Sequence, residues 1–393
     1  MRPGIVVRHG HLSDRTADVV RCDMTALIGF ISRDHWPQEA VAGDVYEMEI
    51  RREPELWEHT HWRRLDSATK RGVRNFFANG GQLLHIYGLC IEAADDLKTP
   101  DGVDALFVDL GARLAAMEEI ALIVVPAAAY LSCTVSRLGE VVADVEPLYN
   151  YLLEHCHQMR NRFLILDPPK GLHDDLLRRW LKRFREDIPK TRSFGALYYP
   201  WLNDGADCFP HSSSMAGAYA RIERQNGVYG VLQPPANIEL EAVTHLELEL
   251  NWDEVDALIQ ANCNPLILQS GRGIVVFGAR TLSIDEAFKF INTRRVANLV
   301  TEQLWRDNRW AVFESNNPHL WSALDRDVRF RLEMFWEAGL LAGDHPGDQY
   351  TVKCSDVQNS LAQIDKGVVS VEVTMRPIGT AEQIVIDLTL GTA

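Results

Sequence analysis

"RFLILDPP" at residues 162–169 decides how this chain folds. Phe163 to Leu166 are four consecutive apolar residues with no polar alternation, so the run reads as a strand buried on both faces, the kind found in parallel sheets. Pro168 and Pro169 then end it, because neither can donate to a ladder. The surrounding sequence repeats the unit. Upstream, "VDALFVDLGARLAAMEEI" (103–120) reads as a helix, "ALIVVP" (121–126) as a buried strand and "VVADVEPLYNYLLEHCHQM" (141–159) as a helix; downstream, "DDLLRRWLKRF" (174–184) reads as a helix and "GALYYPWL" (195–202) as a strand. Strands alternating with helices predict βα units around a parallel sheet.

Outside that block the pattern is mixed. "TALIGFI" (25–31) is an apolar run, "RGVRNFFANGGQLLHIYGLCI" (71–91) is a short helix, an Asn-Gly-Gly turn and a strand, and "GIVVFGA" (273–279) is a strand. Ser283 and Glu286 have the spacing of a capping box, which predicts a helix from there through Phe288, Ile291, Val296 and Leu304. A second helix is expected from about Pro318 to Leu340, with Gly343 as its stop. The fold class expected is therefore mixed α/β: central βα units with a mixed sheet, a second α/β unit built from the N- and C-terminal segments, and terminal arm strands.

Composition excludes several classes. With 393 residues and 46% hydrophobic content the chain is long enough to bury a large core and to form two domains. Lys and Arg total 40 against 55 Asp and Glu, and the net charge of −15 argues against nucleic acid as a direct partner. No window of about 20 residues is free of charge, and no secretory leader is evident, so membrane insertion by this chain is not expected and the cytoplasm is the default location. The seven cysteines are scattered without a Cys-x-x-Cys pair, which suits reduced thiols packed as small apolar groups.

Signals for chemistry are weak. Asp167 follows a strand at the place where α/β enzymes often set a carboxylate, but the Pro168-Pro169 turn makes a structural role the better reading. His155 and His157 are two apart on a helix and point to different sides; with His59 and His61 they do not make a ligand set, so no metal is expected. "GRG" at 271–273 lacks the rest of a phosphate loop, and Ser212 to Ser214 beside His211 form no elbow motif. Neither a catalytic site nor a cofactor is expected. Between Arg280 and Arg331 nine Lys and Arg face seven Asp and Glu, a locally basic stretch in an acidic protein.

Eight segments, taken in order, resemble the sheath proteins of contractile phage tails and phage-tail-like injection systems. They are "RGVRNFFANGG" (71–81), "RFLILDPP" (162–169), "ALYYPWL" (196–202), "MAGAYARIERQNGVYGVLQPPAN" (215–237), "GIVVFGARTLS" (273–283), "RRVANLV" (294–300), "RWAVFESNNPHLW" (309–321) and "KCSDVQNSLAQIDKGVVSVEVTMRPIGTAEQIVI" (353–386). The resemblance implies an N-terminal arm over 1–20, a core domain from 21–95 and 265–380, a middle domain over 96–264 and a C-terminal arm strand over 381–393. It also implies a structural subunit that stacks as hexameric rings around an inner tube and contracts, with baseplate and tail terminator proteins as further partners and cytoplasmic assembly into a tail or injection particle.

In that family terminal arms add strands to neighbouring subunits, which assigns Ile5, Val7, Ile384, Ile386, Leu388 and Leu390 to inter-subunit strands. Arg294, Arg295, Arg326 and Arg329 become candidates to face the tube. From pattern alone, "VVSVEVTM" (368–375) and "EQIVIDLTL" (382–390) equally permit an intramolecular hairpin through "RPIGTA". Two other readings are an α/β enzyme using Asp167 and a static tail terminator or adaptor that forms single rings.

Overall fold

The computed structural model describes residues 19–59, 62–135, 140–343 and 346–380. In chain order its main elements are β1 (Thr25–Ser32), β2 (Val45–Ile50), α1 (Ser67–Ala78), β3 (Leu84–Ile91), α2 (Pro100–Leu106), α3 (Val108–Ala116), β4 (Leu122–Val124), α4 (Glu146–Met159), β5 (Phe163–Leu166), α5 (Asp174–Asp187), β6 (Gly195–Tyr199), α6 (Ser212–Asn226), α7 (Trp252–Gln260), β7 (Asn264–Gln269), β8 (Gly273–Val276), α8 (Ile291–Asp307), α9 (Pro318–Glu337), β9 (Tyr350–Lys353) and β10 (Glu372–Met375).

The first eight strands form one sheet in the order β8-β7-β6-β5-β4-β1-β3-β2. Its six inner strands run parallel, and the edge strands β2 and β8 are antiparallel to their neighbours. The mixed sheet expected from the sequence is thus present. It draws strands from residues on both sides of 95 and 264, where the sequence reading had placed unit boundaries.

Alternation along β1 shows how the sheet is covered. Ala26, Ile28 and Phe30 point into one apolar core with Leu110, Leu114, Leu152 and Trp180 of the helices after β3. Leu27 and Ile31 point into the other, with Val73 and Phe76 of α1 and Met215 and Tyr219 of α6. Gly29 marks the close approach of α1, since a Cβ there would lie 2.5 Å from the Thr69 side chain.

A third core joins α8 and α9 through Val296, Leu299, Val300, Val328, Leu332 and Phe335, with Val352 of β9 packed on it. Here two helix ends differ from expectation. Ser283 Oγ accepts from the Asp285 amide at 2.9 Å in a local turn, Asp285 caps a single turn at Glu286–Phe288, and α8 begins only at Ile291. The capping residue bonds where the backbone turns, and the spacing alone did not show the turn. The stop of α9 is Gly339, whose φ of 81° permits the left-handed exit, rather than Gly343. Its start agrees: Asn317 Oδ1 accepts from His319 N at 2.9 Å and Leu320 N at 3.1 Å, with Pro318 in the first turn. The helix expected over 103–120 is broken at Phe107 into α2 and α3.

Candidate functional site

β9 and β10 make a two-stranded antiparallel sheet with Thr351 opposite Thr374 and Val352 opposite Val373. Arg376 N donates to Gln349 O at 2.8 Å, which fixes the phase of the ladder. In an antiparallel pair the residues alternate, so Thr374 turns its NH and C=O toward β9 while Val373 and Met375 turn theirs to the far side. Residues 340–342 approach from the β9 side, through Ala342 N to Arg376 O at 2.9 Å and Ile378 N to Leu340 O at 3.0 Å. Among the described residues no strand pairs with the outer edge of β10.

A groove of about 790 Å³ runs along that edge. Val373, Thr374, Met375 and Pro377 form one wall; Phe288, Phe194 and Lys190 form the other. Arg294 sits between them with its guanidinium stacked 3.5 Å from the Phe288 ring centre and 4.2 Å from that of Phe194. The chain leaves along α8: Thr293 Oγ1 donates to Ile378 O at 3.3 Å and Thr380 Oγ1 bonds Asn292 Oδ1 at 2.6 Å. An exposed strand edge beside a groove of mixed polar and apolar lining is a geometry that can accept an added strand, with main-chain bonds supplying affinity and side-chain pockets supplying register.

The six arm residues, Ile5, Val7, Ile384, Ile386, Leu388 and Leu390, lie outside the described residues, as does His61. Of the four arginines, Arg326 and Arg329 are on the exposed face of α9, paired with Asp327 and Asp325. Arg294 is built into the groove wall. Arg295 is interior: 5% exposed, ion-paired with Glu223 of α6 and donating to Cys22 O at 2.8 Å, it cannot face a tube. Its position four residues from both Ile291 and Leu299 puts it on the buried stripe of α8, a signal the charge count overlooked. His155 contacts Arg162 at 3.0 Å while His157 faces the Phe194 ring, and among the described residues no group of three or more His, Cys, Asp or Glu could hold a metal.

Asp167 is buried with His211 and Ser212, a grouping that sequence adjacency did not reveal. Oδ1 accepts from Ser212 N at 2.8 Å and lies 3.1 Å from His211 Nδ1, and Nε2 of that ring donates to Tyr198 O at 2.7 Å. The Asp167 and Pro168 carbonyls accept from Tyr149 OH and Trp201 Nε1 at 2.8 and 3.0 Å, so the Pro-Pro turn is fixed as the sequence suggested. With Nε2 carrying its proton, one further proton must lie between Nδ1 and Oδ1 for those atoms to attract. Burial pushes the Asp167 carboxyl up to about 7 and the His211 imidazole down to about 3, placing that proton on the acid.

The sign of the pH dependence follows. Between about pH 4 and 6.5 the folded pair holds one proton on Asp167 and the unfolded pair holds one on His211, so they contribute no slope. Asp167→Asn mimics the protonated acid, so the chain should fold, but its stability should rise relative to the native chain by about 1.4 kcal/mol per pH unit across that window, because only the unfolded histidine now binds a proton. Urea unfolding at pH 4.5, 5.5 and 6.5 tests this; parallel profiles for the two chains would contradict it.

The profile of the phage tail sheath C-terminal domain matches residues 283–390. Over 186 residues the chain is 25% identical to the tail sheath protein of Vibrio phage KVP40, covering 46% of this chain and 26% of that one; over 172 residues it is 26% identical to the tail sheath protein of Enterobacteria phage T4, covering 43% and 25%. Over these stretches the chain is similar to tail sheath proteins. It matches about a quarter of the length of these two phage sheath proteins. Its fold is that of smaller sheaths: the anti-feeding prophage helical sheath in the contracted state aligns with a TM-score of 0.69 at 21% identity, covering 99% of each chain, and the contracted PVC sheath of an extracellular contractile injection system with 0.68 at 21%, covering 99% and 97%. The segment that matches the sheath C-terminal domain profile holds α8, α9, β9 and β10, so the open edge lies within it.

Proposed function

We propose that the chain is the structural subunit of a contractile sheath, stacking as hexameric rings around an inner tube and shortening to drive that tube through a target membrane. The observation that carries this is the outer edge of β10, with Val373 and Met375 presenting backbone groups to a ready-made groove. "EQIVIDLTL" of a neighbouring copy, with Ile384, Ile386, Leu388 and Leu390 on one face, is the occupant with the right alternation, and the segment around Ile5 and Val7 is a second strand for the same kind of contact. Similarity to a chain of the 6-fold symmetrised anti-feeding prophage baseplate, with a TM-score of 0.66, supports ring formation and contact with a baseplate. Tube and terminator proteins complete the partner set, and assembly in the cytoplasm as part of a tail-like particle fits a fold in which, among the described residues, no helix is long and apolar enough to cross a membrane. Arg326 and Arg329 remain the tube-facing candidates.

The enzyme reading lacks an accessible site, since Asp167, His211 and Ser212 are each at most 1% exposed. A static terminator is separated by experiment. Purified chain, alone and mixed with its inner tube protein, should give long tubes or stacked rings in negative stain; single rings would favour the terminator, and monomers in both samples would overturn the sheath reading.

A further inference from the structure

The largest charge asymmetry in the molecule is not used by the strand edge. From residue 225 to 271 there is no Lys or Arg, while Glu239, Glu241, Glu247, Glu249, Asp253, Glu254 and Asp256 give the segment a net charge of −7. Some of these are engaged: Glu241 pairs with Arg221 and Glu254 caps the Asn251 amide. Glu249, Asp253 and Asp256 are exposed and form no ion pair among the described residues. They surround Trp252, which opens α7, is 65% exposed and touches the half-exposed Phe277 ring at 5.6 Å.

The complementary surface lies at the carboxyl ends of β1 and β3. A groove of about 550 Å³ there has Phe30, Tyr130 and Leu131 in its apolar lining and Arg63, Arg64 and Lys70 along one wall. Lys170 stands 5.3 Å from the Tyr130 ring centre. None of these four cations is in an ion pair among the described residues; Arg64 and Lys70 donate only to the His35 and Arg63 carbonyls. The acids nearby are satisfied: Glu92 pairs with Arg33 and Asp95 with Lys98, Asp96 accepts from Ala93 N, and Asp66 accepts from Phe30 N and Thr69 N. The groove therefore carries surplus positive charge over an aromatic floor.

We infer that the Trp252 knob of one copy, with Glu249, Asp253 and Asp256 around it, seats in the Arg63–Arg64–Lys70 groove of a second copy. The two surfaces cannot meet within one chain. α7 leads into β7, four strand intervals from β1, which is about 19 Å of sheet. Joining unlike patches of two copies is a heterologous contact, which repeats head to tail and closes into rings or extends as a helix. Aromatic insertion with rim charges gives it the form of a binding hot spot, and the charges make it salt-sensitive. This contact rests on the reading that copies of the chain assemble, but it concerns the globular bodies and not the arms.

The test is photo-crosslinking of concentrated chain carrying Trp252→p-benzoylphenylalanine, with adducts mapped by mass spectrometry. Adducts between copies at residues 63–70 or 127–131 are expected. Their yield should fall several-fold in 0.5 M NaCl, fall likewise with Arg63→Glu/Arg64→Glu, and return when that protein is mixed with a Glu249→Lys/Asp253→Lys copy bearing the crosslinker. Adducts elsewhere, or none between copies, overturn the inference. Tubes that form normally from Arg63→Glu/Arg64→Glu chain would also overturn it while leaving the sheath reading intact; mapped adducts without any tubes would do the reverse.

Discussion

Arg295→Met should cost the fold about 3–5 kcal/mol, the largest stability loss expected from any single substitution discussed for this chain. Arg295 is the buried cation between α8 and α6. Its guanidinium pairs with Glu223, donates to Cys22 O at 2.8 Å and lies 4.9 Å from the Tyr219 ring centre. It therefore fastens α8, in the segment that matches the sheath C-terminal domain profile, to α6 on the sheet. Methionine fills similar space but leaves Glu223 a buried carboxylate without a cation. Burial already pushes that carboxyl up to about 7, with Arg295 opposing the rise. Without Arg295 it rises further. A folded pKa above the unfolded value means that the contribution is intact at low pH and lost as pH rises through the folded value; the native carboxyl ionises near 7 and the variant's later, so the deficit of the variant should grow by about 1.4 kcal/mol between pH 5 and pH 8. Glu223→Gln combined with Arg295→Met should recover most of the loss, because no charge is then buried. Guanidinium unfolding at the two pH values checks it; a deficit independent of pH would show that packing, not charge, holds this junction.

Val373→Pro should abolish polymerisation while leaving the monomer folded. Val373 points its NH away from β9, so proline there removes no bond of the β9–β10 ladder. Proline is tolerated on an edge strand, and its ring denies the incoming strand a donor at the middle of the acceptor edge. Thr374→Pro is the control, since its NH points to β9; it should weaken the domain itself. Sedimentation of both proteins, with circular dichroism to follow folding, separates the cases. Tubes from Val373→Pro chain would mean that β10 is not the acceptor.

How much of this was legible in the sequence depended on how locally each feature is encoded. The buried strands "FLIL" and "LIV" and their flanking helices were legible because a strand covered on both faces leaves an uninterrupted apolar run. The helix starts were legible at Asn317-Pro318, where cap and proline agree, and not at Ser283, where a turn of the backbone redirected the cap. The union of all eight strands in one sheet was not legible, because periodicity says what a strand buries and not which strand lies beside it. Of the site, the terminal alternation permitted strand donation and an intramolecular hairpin alike, and the open edge of β10 emerged only once β9 and β10 were paired and the phase of their hydrogen bonds was known. Counting charges along 280–331 grouped Arg295 with Arg326, although one is buried on the apolar stripe of α8 and the other is solvated on α9.

The measurement that bears most directly on the account is a density map of the assembled particle at a resolution that traces side chains along the outer edge of β10. A third strand should lie there, bonded to the Val373 and Met375 backbones, with its side chains identifying it as residues 382–390 of a different copy. An edge filled by the same chain's own 382–390, or an edge left bare in the assembled lattice, would contradict it.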